Sequence, residues 1–140
     1  MKNMVLLLDS NVLISYLMKR KPEYIFAEKI IDCCRQKKIY GYMAFHSISI
    51  IWYVLRKEPI AIRRGLLLDL CECVTVVGAK HEKVVDAILN ESFADFEDCL
   101  QEKCAESVSA DYIVTENIKD FKTSSIPAVT SAEIVGMLTK

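Results

Sequence analysis

The chain has 140 residues, 52% of them hydrophobic and 26% charged, a composition that excludes intrinsic disorder. Its net charge of −1 excludes a broadly basic nucleic-acid coat, while leaving room for a local basic rim around an acidic site. With 3 Pro and 4 Gly there is no composition for a long linker, so one domain over residues 1–140 is expected.

In chain order, Met4 to Leu8 (MVLLL) is an unbroken apolar run, the pattern of a strand covered on both faces. It ends in Asp9-Ser10-Asn11, and Val12 to Arg20 continue as a helix with Leu13, Tyr16 and Leu17 inward. Pro22 opens a second helix through Ile30, Ile31 and Cys34, with Arg35, Lys37 and Lys38 complementing the dipole at its end. Ile39 to Phe45 reads as a second strand, and His46-Ser47-Ile48-Ser49 as the cap of a third helix that buries Ile50, Ile51, Val54 and Leu55. Pro59 starts a fourth helix on Ile62, Leu66, Leu67 and Leu70. Val74 to Val77 is a third strand, stopped by Gly78, and Lys80 to Asn90 a helix on Val84, Val85 and Ile88.

The stretch from Asp95 to Phe121 carries the most information. Asp95 stands where an N-cap belongs, with Glu97 and Asp98 in the first turn, where the helix dipole favours negative charge. Leu100, Cys104 and Val108 supply that helix's apolar face, and Asp111 to Thr115 is a short buried strand. Polar residues Thr115, Glu116, Asn117 and Asp120 follow it. Ile126 to Val129 is a fifth strand, and Ser131 to Lys140 a last helix capped by Ser131 with Glu133 in its first turn. Short strands alternating with helices imply a three-layer α/β/α sandwich around a five-stranded parallel sheet.

The cysteines (Cys33, Cys34, Cys71, Cys73, Cys99 and Cys104) form no CxxC pair and have only His46 and His81 beside them, so zinc is not expected. Reduced core thiols in a cytoplasmic protein are the expectation. Asp9 interrupts the N-terminal apolar run and no stretch reaches membrane-spanning length, so neither a signal peptide nor a membrane span is expected.

Three acids occupy comparable places: Asp9 ends the first strand, Asp98 opens the helix leading to the fourth, and Asp120 follows the fourth. If the first and fourth strands are neighbours, all three converge at the carboxyl edge of the sheet, where open α/β sheets hold ligands. Converging carboxylates repel unless a cation lies between them, and oxygen-only donors favour Mg²⁺ or Mn²⁺. Such an ion serves phosphodiester hydrolysis, with Thr115 and Asn117 holding a ligand water or a phosphate oxygen. Asp9 and Asn11 taken singly read more simply as helix-capping residues.

LLLDSNVLISYL near the start and DFEDCLQEKCAESVSADYIVTENIKDF near the end resemble the two signature blocks of the PIN-domain family, and SISIIWYVLRK resembles its middle helix. The resemblance implies strand order 3-2-1-4-5 and a Mg²⁺- or Mn²⁺-dependent ribonuclease. It also brings in the toxin of a toxin–antitoxin pair, with an antitoxin protein as partner. By residue, Asp9, Asp98 and Asp120 match catalytic, metal-binding acids, and Thr115 and Asn117 match supporting polar positions, where the family often has Asp in place of Asn117. Many members add an acid from the middle helix, near Ser49 or Ile50 here; neither is acidic, and the nearest carboxylate, Glu58, is about two turns onward. RNA would then meet cations drawn from Lys19, Arg20, Lys21, Arg56, Lys57, Lys119 and Lys122. The missing acid leaves open a second reading, a catalytically weakened module that binds RNA or a protein partner. Tyr16, Trp52 and Tyr53 are candidates for a homodimer face, or simply core.

Overall fold

The expected central strand forms over Val5–Leu8 (β1), and its three leucines are fully buried. Side chains alternate across a strand, so Leu6 and Leu8 enter one core cluster and Leu7 the other. That is why the run shows no polar alternation: both faces of the sheet are covered. The computed structural model describes residues 3–139. The remaining strands are Tyr40–Ala44 (β2), Val74–Val77 (β3), Tyr112–Val114 (β4) and Ala128–Val129 (β5). All pair in parallel in the order β3-β2-β1-β4-β5. Leu7 stands opposite Tyr42 on one side and Ile113 on the other, so β1 and β4 are neighbours.

Among the described residues seven α-helices flank the sheet: Ser10–Leu17 (α1), Tyr24–Arg35 (α2), Phe45–Val54 (α3), Ile60–Cys73 (α4), His81–Leu89 (α5), Phe96–Ser107 (α6) and Ser131–Leu138 (α7). The Leu6/Leu8 side is packed by Leu13, Ile30, Ile31, Ile51, Leu70 and Ile134, from α1, α2, α3, α4 and α7. The Leu7 side is packed by Cys104 and Ala105 of α6 and by Phe121. Among the described residues no helix is long and apolar enough to cross a membrane. All six cysteines are free thiols, and burial pushes Cys34 up to about 12.

Five sequence expectations need correction. In α5 the buried residue is Ala87, while Val85 is partly exposed and Ile88 is 64% exposed. This helix packs on α6, and its one buried residue is small while its larger apolar side chains are turned outward. In α4, Leu70 is buried but Ile62 faces solvent. In α6 the buried positions are Cys99, Gln101, Glu102, Cys104 and Ala105, with Leu100 and Val108 only half-buried. The last helix is capped by Thr130, which shares a capping box with Glu133, and Ser131 instead donates to Glu116. Its expected end at Lys140 lies outside the described residues. At α3 no side chain caps the helix, and His46 lies within the first turn.

Gly41 is required by packing, not by backbone angle. A Cβ added there would stand 2.6 Å from Cys34 Sγ on α2. Gly41→Ala is therefore expected to cost about 1–3 kcal/mol by overpacking. Adding Cys34→Ala should recover part of that loss in a denaturant titration; equal stability of Gly41→Ala and wild type would refute the clash.

Candidate active site

The carboxyl ends of β1 and β4 lie side by side, and the residues that follow them build one cleft. Asp9 is the N-cap of α1 and is only 6% exposed. Its Oδ1 accepts from the Ser10 amide at 2.8 Å, and its Oδ2 accepts from Thr115 Oγ1 at 2.8 Å. The capping role and a place in the cleft wall thus coincide, with one oxygen tied to each neighbouring element. Thr115 is fully buried, and its hydroxyl also accepts from the Asn117 amide at 3.0 Å, turning the chain out of β4 toward the cleft.

Asp95 caps α6 as its place in the sequence implied, accepting from the amides of Glu97 at 2.8 Å and Asp98 at 3.2 Å. This fixes where the first turn of α6 begins, and so where Asp98 sits. Asp120 lies in a 3-10 turn, Ile118–Phe121, anchored by buried Phe121, whose ring meets Phe93 edge-on.

The resulting cleft has a volume of about 240 Å³ and is walled by Asp9, Ser10, Asn11, Ile14, Ile50, Asp95, Glu97, Asp98, Gln101, Asn117 and Asp120. The structure therefore brings Asp9, Asp98 and Asp120 together with Asn11 and Asn117, and puts Thr115 directly beneath Asp9. It adds Ser10, Glu97 and Gln101, and gives Asp95 a place in the wall besides its capping role. Gln101 was legible only as the residue one turn after Asp98, on the same helix face. Arg20, Arg56 and Lys119 do not line the cleft. Arg20 contacts Met18, Arg56 stacks on the Tyr53 ring at 4.2 Å, and Lys119 is exposed beside Asp120 in the 3-10 turn. Of the aromatics suggested for a dimer face, Tyr16 stacks on Tyr24, Trp52 lies under Arg63, and Tyr53 is 63% exposed. The position expected for a middle-helix acid is filled by Ile50 in the cleft wall, while Glu58 belongs to a separate depression beside Leu17 and Leu66. A larger cavity, about 390 Å³, opens beside Cys34, Gly41 and Cys73 at the opposite, amino end of β2.

Five carboxylates and no Lys, Arg or His line the cleft. Burial, reinforced by Asp9, Asp95, Asp120 and Glu97, pushes Asp98 up to about 7. Asp9 is also raised, by burial first and by Asp120 and Asp95 after it, against the lowering effect of its bonds to Thr115 and Ser10. Among the described residues no three Asp, Glu, His or Cys side chains are spaced to hold a metal ion by themselves. The wall nevertheless contains two buried amide oxygens without hydrogen-bond partners, Asn11 Oδ1 and Gln101 Oε1. Carboxylates with neutral oxygens fit a hard divalent cation that keeps part of its water shell, the manner in which Mg²⁺ is bound.

A family model described as PIN domain matches residues 5–119. The fold is similar to that of VapBC2 from Rickettsia felis, a structure bound to a DNA fragment from its promoter, with a TM-score of 0.65 and 15% identity over 91% of this chain and 98% of that one. VapBC-1 from nontypeable Haemophilus influenzae is similar at a TM-score of 0.62 and 21% identity, over 92% of this chain and 99% of that one. VapC20 of Mycobacterium tuberculosis, described as a sarcin-ricin loop cleaving toxin, is similar at 0.62 and 10% identity, over 86% and 95%. No curated protein matches the chain in sequence.

Proposed function

This chain belongs to the PIN-domain family, and from that premise we propose that it is a divalent-metal-dependent endoribonuclease, the toxin of a toxin–antitoxin pair. The observation that carries the reading is the meeting of Asp9, Asp98 and Asp120 in one cleft that no cation lines. Nothing local in sequence brings these acids together, and their mutual repulsion calls for a positive partner. In this proposal Asp9, Asp98 and Asp120 would hold Mg²⁺ or Mn²⁺, and the ion would supply water activation and neutralise charge on the attacked phosphate. Thr115 fixes the Asp9 carboxylate through its hydroxyl. Asn11 and Asn117 present neutral polar groups to water or to a phosphate oxygen.

RNA as substrate is supported by the sarcin-ricin loop activity of the similar M. tuberculosis toxin, and an antitoxin partner by the VapBC assemblies. Lys119, exposed and adjoining Asp120 in sequence, is the cation we put first for the RNA backbone, with Arg20 and Arg56 as further candidates that do not line the cleft. Phe45, 72% exposed at the end of β2, and Phe96, beside Glu97, offer rings on which unpaired bases can stack. Tyr53, 63% exposed, is the aromatic we propose for a homodimer contact.

Ile50 in the cleft wall favours one second reading, a module that binds RNA without cutting it. Incubating the purified protein with structured and single-stranded RNA, with Mg²⁺, Mn²⁺ or EDTA, separates the two. Metal-dependent cuts lost on chelation are expected. Retention of RNA with no cuts under any metal would favour the binding module.

A further inference from the structure

We propose that Gln101 takes over the work of the absent middle-helix carboxylate, its Oε1 holding a water of the divalent cation in the cleft. This inference deepens the metal-dependent reading above and rests on it. Gln101 is 2% exposed and sits one turn after Asp98 on α6. Its amide nitrogen donates to Ser47 Oγ at 2.9 Å and to Ser10 Oγ at 3.3 Å, and those two hydroxyls are 2.8 Å apart. The three residues come from α6, α3 and α1, so two other helices hold the amide group in place.

With both contacts made through nitrogen, Oε1 is left buried without a partner in a residue that lines the acidic cleft. A buried carbonyl oxygen left unpaired is costly, and native proteins keep such groups mainly where water or an ion meets them. Asn11 Oδ1, in the same wall, is in the same condition. Ile50, which stands where the family's acid is expected, brings no donor at all. A neutral oxygen in place of a carboxylate lets the cation keep an ordered water and adds no further repulsion among five carboxylates. The Ser10 amide that holds Asp9 belongs to the same residue whose hydroxyl meets Gln101, so this triad also links the Gln101 amide to the Asp9 carboxylate.

The test is Mn²⁺ binding by the full chain, followed by titration calorimetry and by water-proton relaxation, for wild type, Gln101→Leu and Gln101→Glu, with the metal-free melting temperature of each. Gln101→Leu should raise the Mn²⁺ Kd by about 10-fold or more. Gln101→Glu should lower it, because a carboxylate keeps the oxygen facing the metal while Ser10 and Ser47 turn to donate to it. A drop in melting temperature for Gln101→Leu with the Kd unchanged would reduce Gln101 to a structural role and overturn the proposal. Should Gln101→Leu fail to fold, weaker binding by Gln101→Glu overturns it as well, since that result would put the amide N–H groups at the cleft. If wild type itself binds no Mn²⁺, the metal reading of the whole cleft fails, a result distinct from either outcome at Gln101.

Discussion

Asp98→Asn is expected to lower metal-dependent RNA cleavage by at least about 100-fold while leaving the protein folded and, at alkaline pH, more stable. Two properties of the side chain drive this expectation. It faces the cleft with Asp9, Asp95, Glu97 and Asp120, and its carboxyl is pushed up to about 7 by burial and by those neighbours. A group held that high is disfavoured as an anion by the metal-free fold, so removing the charge relieves the fold and disables ion binding together. An ordinary capping residue would behave in the opposite way: Asp95, which bonds two amides of α6, should lose stability when truncated. The assay is cleavage of a fixed RNA in Mg²⁺ or Mn²⁺, alongside thermal melting. Full activity in Asp98→Asn would end the nuclease assignment for this cleft.

A second large effect is expected in the pH dependence of stability. Asp98 titrates at about 7 in the folded chain against a reference value of 3.8, so between these values the folded state binds more protons than the unfolded one. Unfolding free energy therefore falls as pH rises across that window, and this group's contribution is flat above about 7. Asp9, also raised, acts in the same direction. In the metal-free protein the melting temperature should decline from mildly acidic pH toward neutrality. Asp98→Asn should flatten that decline, with its stabilising effect large at pH values well above about 7 and absent near the acid end of the window. Divalent metal reverses the sign, since it binds the ionised carboxylates: the stabilisation by Mg²⁺ should grow as pH passes through about 7. A melting profile identical in wild type and Asp98→Asn would show that Asp98 is not perturbed.

The order and type of the elements were legible because each carries its own local signal. Met4 to Leu8 had the pattern of a strand covered on both faces, and Asp95 with Glu97 and Asp98 announced a helix start. The meeting of Asp9, Asp98 and Asp120 in one cleft was legible for a related reason, since strand ends and helix starts are the places where a parallel sheet puts its ligands. Helix faces were less so. Val85 and Ile88 have the spacing of a buried stripe, yet the residue α5 buries is Ala87, because which face of a short helix is covered depends on the space its neighbours leave.

What the sequence determined alone was the alternation of strands and helices and the three acids at their junctions. Tertiary structure alone decided that Ile50 closes the cleft where an acid was expected, and that Ser10, Ser47 and Gln101, from three separate helices, meet beneath it. Hydrogen bonds within one turn, such as the caps of Asp9 and Asp95, depend on neighbours along the chain and can be read there. Contacts between helices far apart in sequence depend on how the sheet's faces are covered, a property no single segment carries.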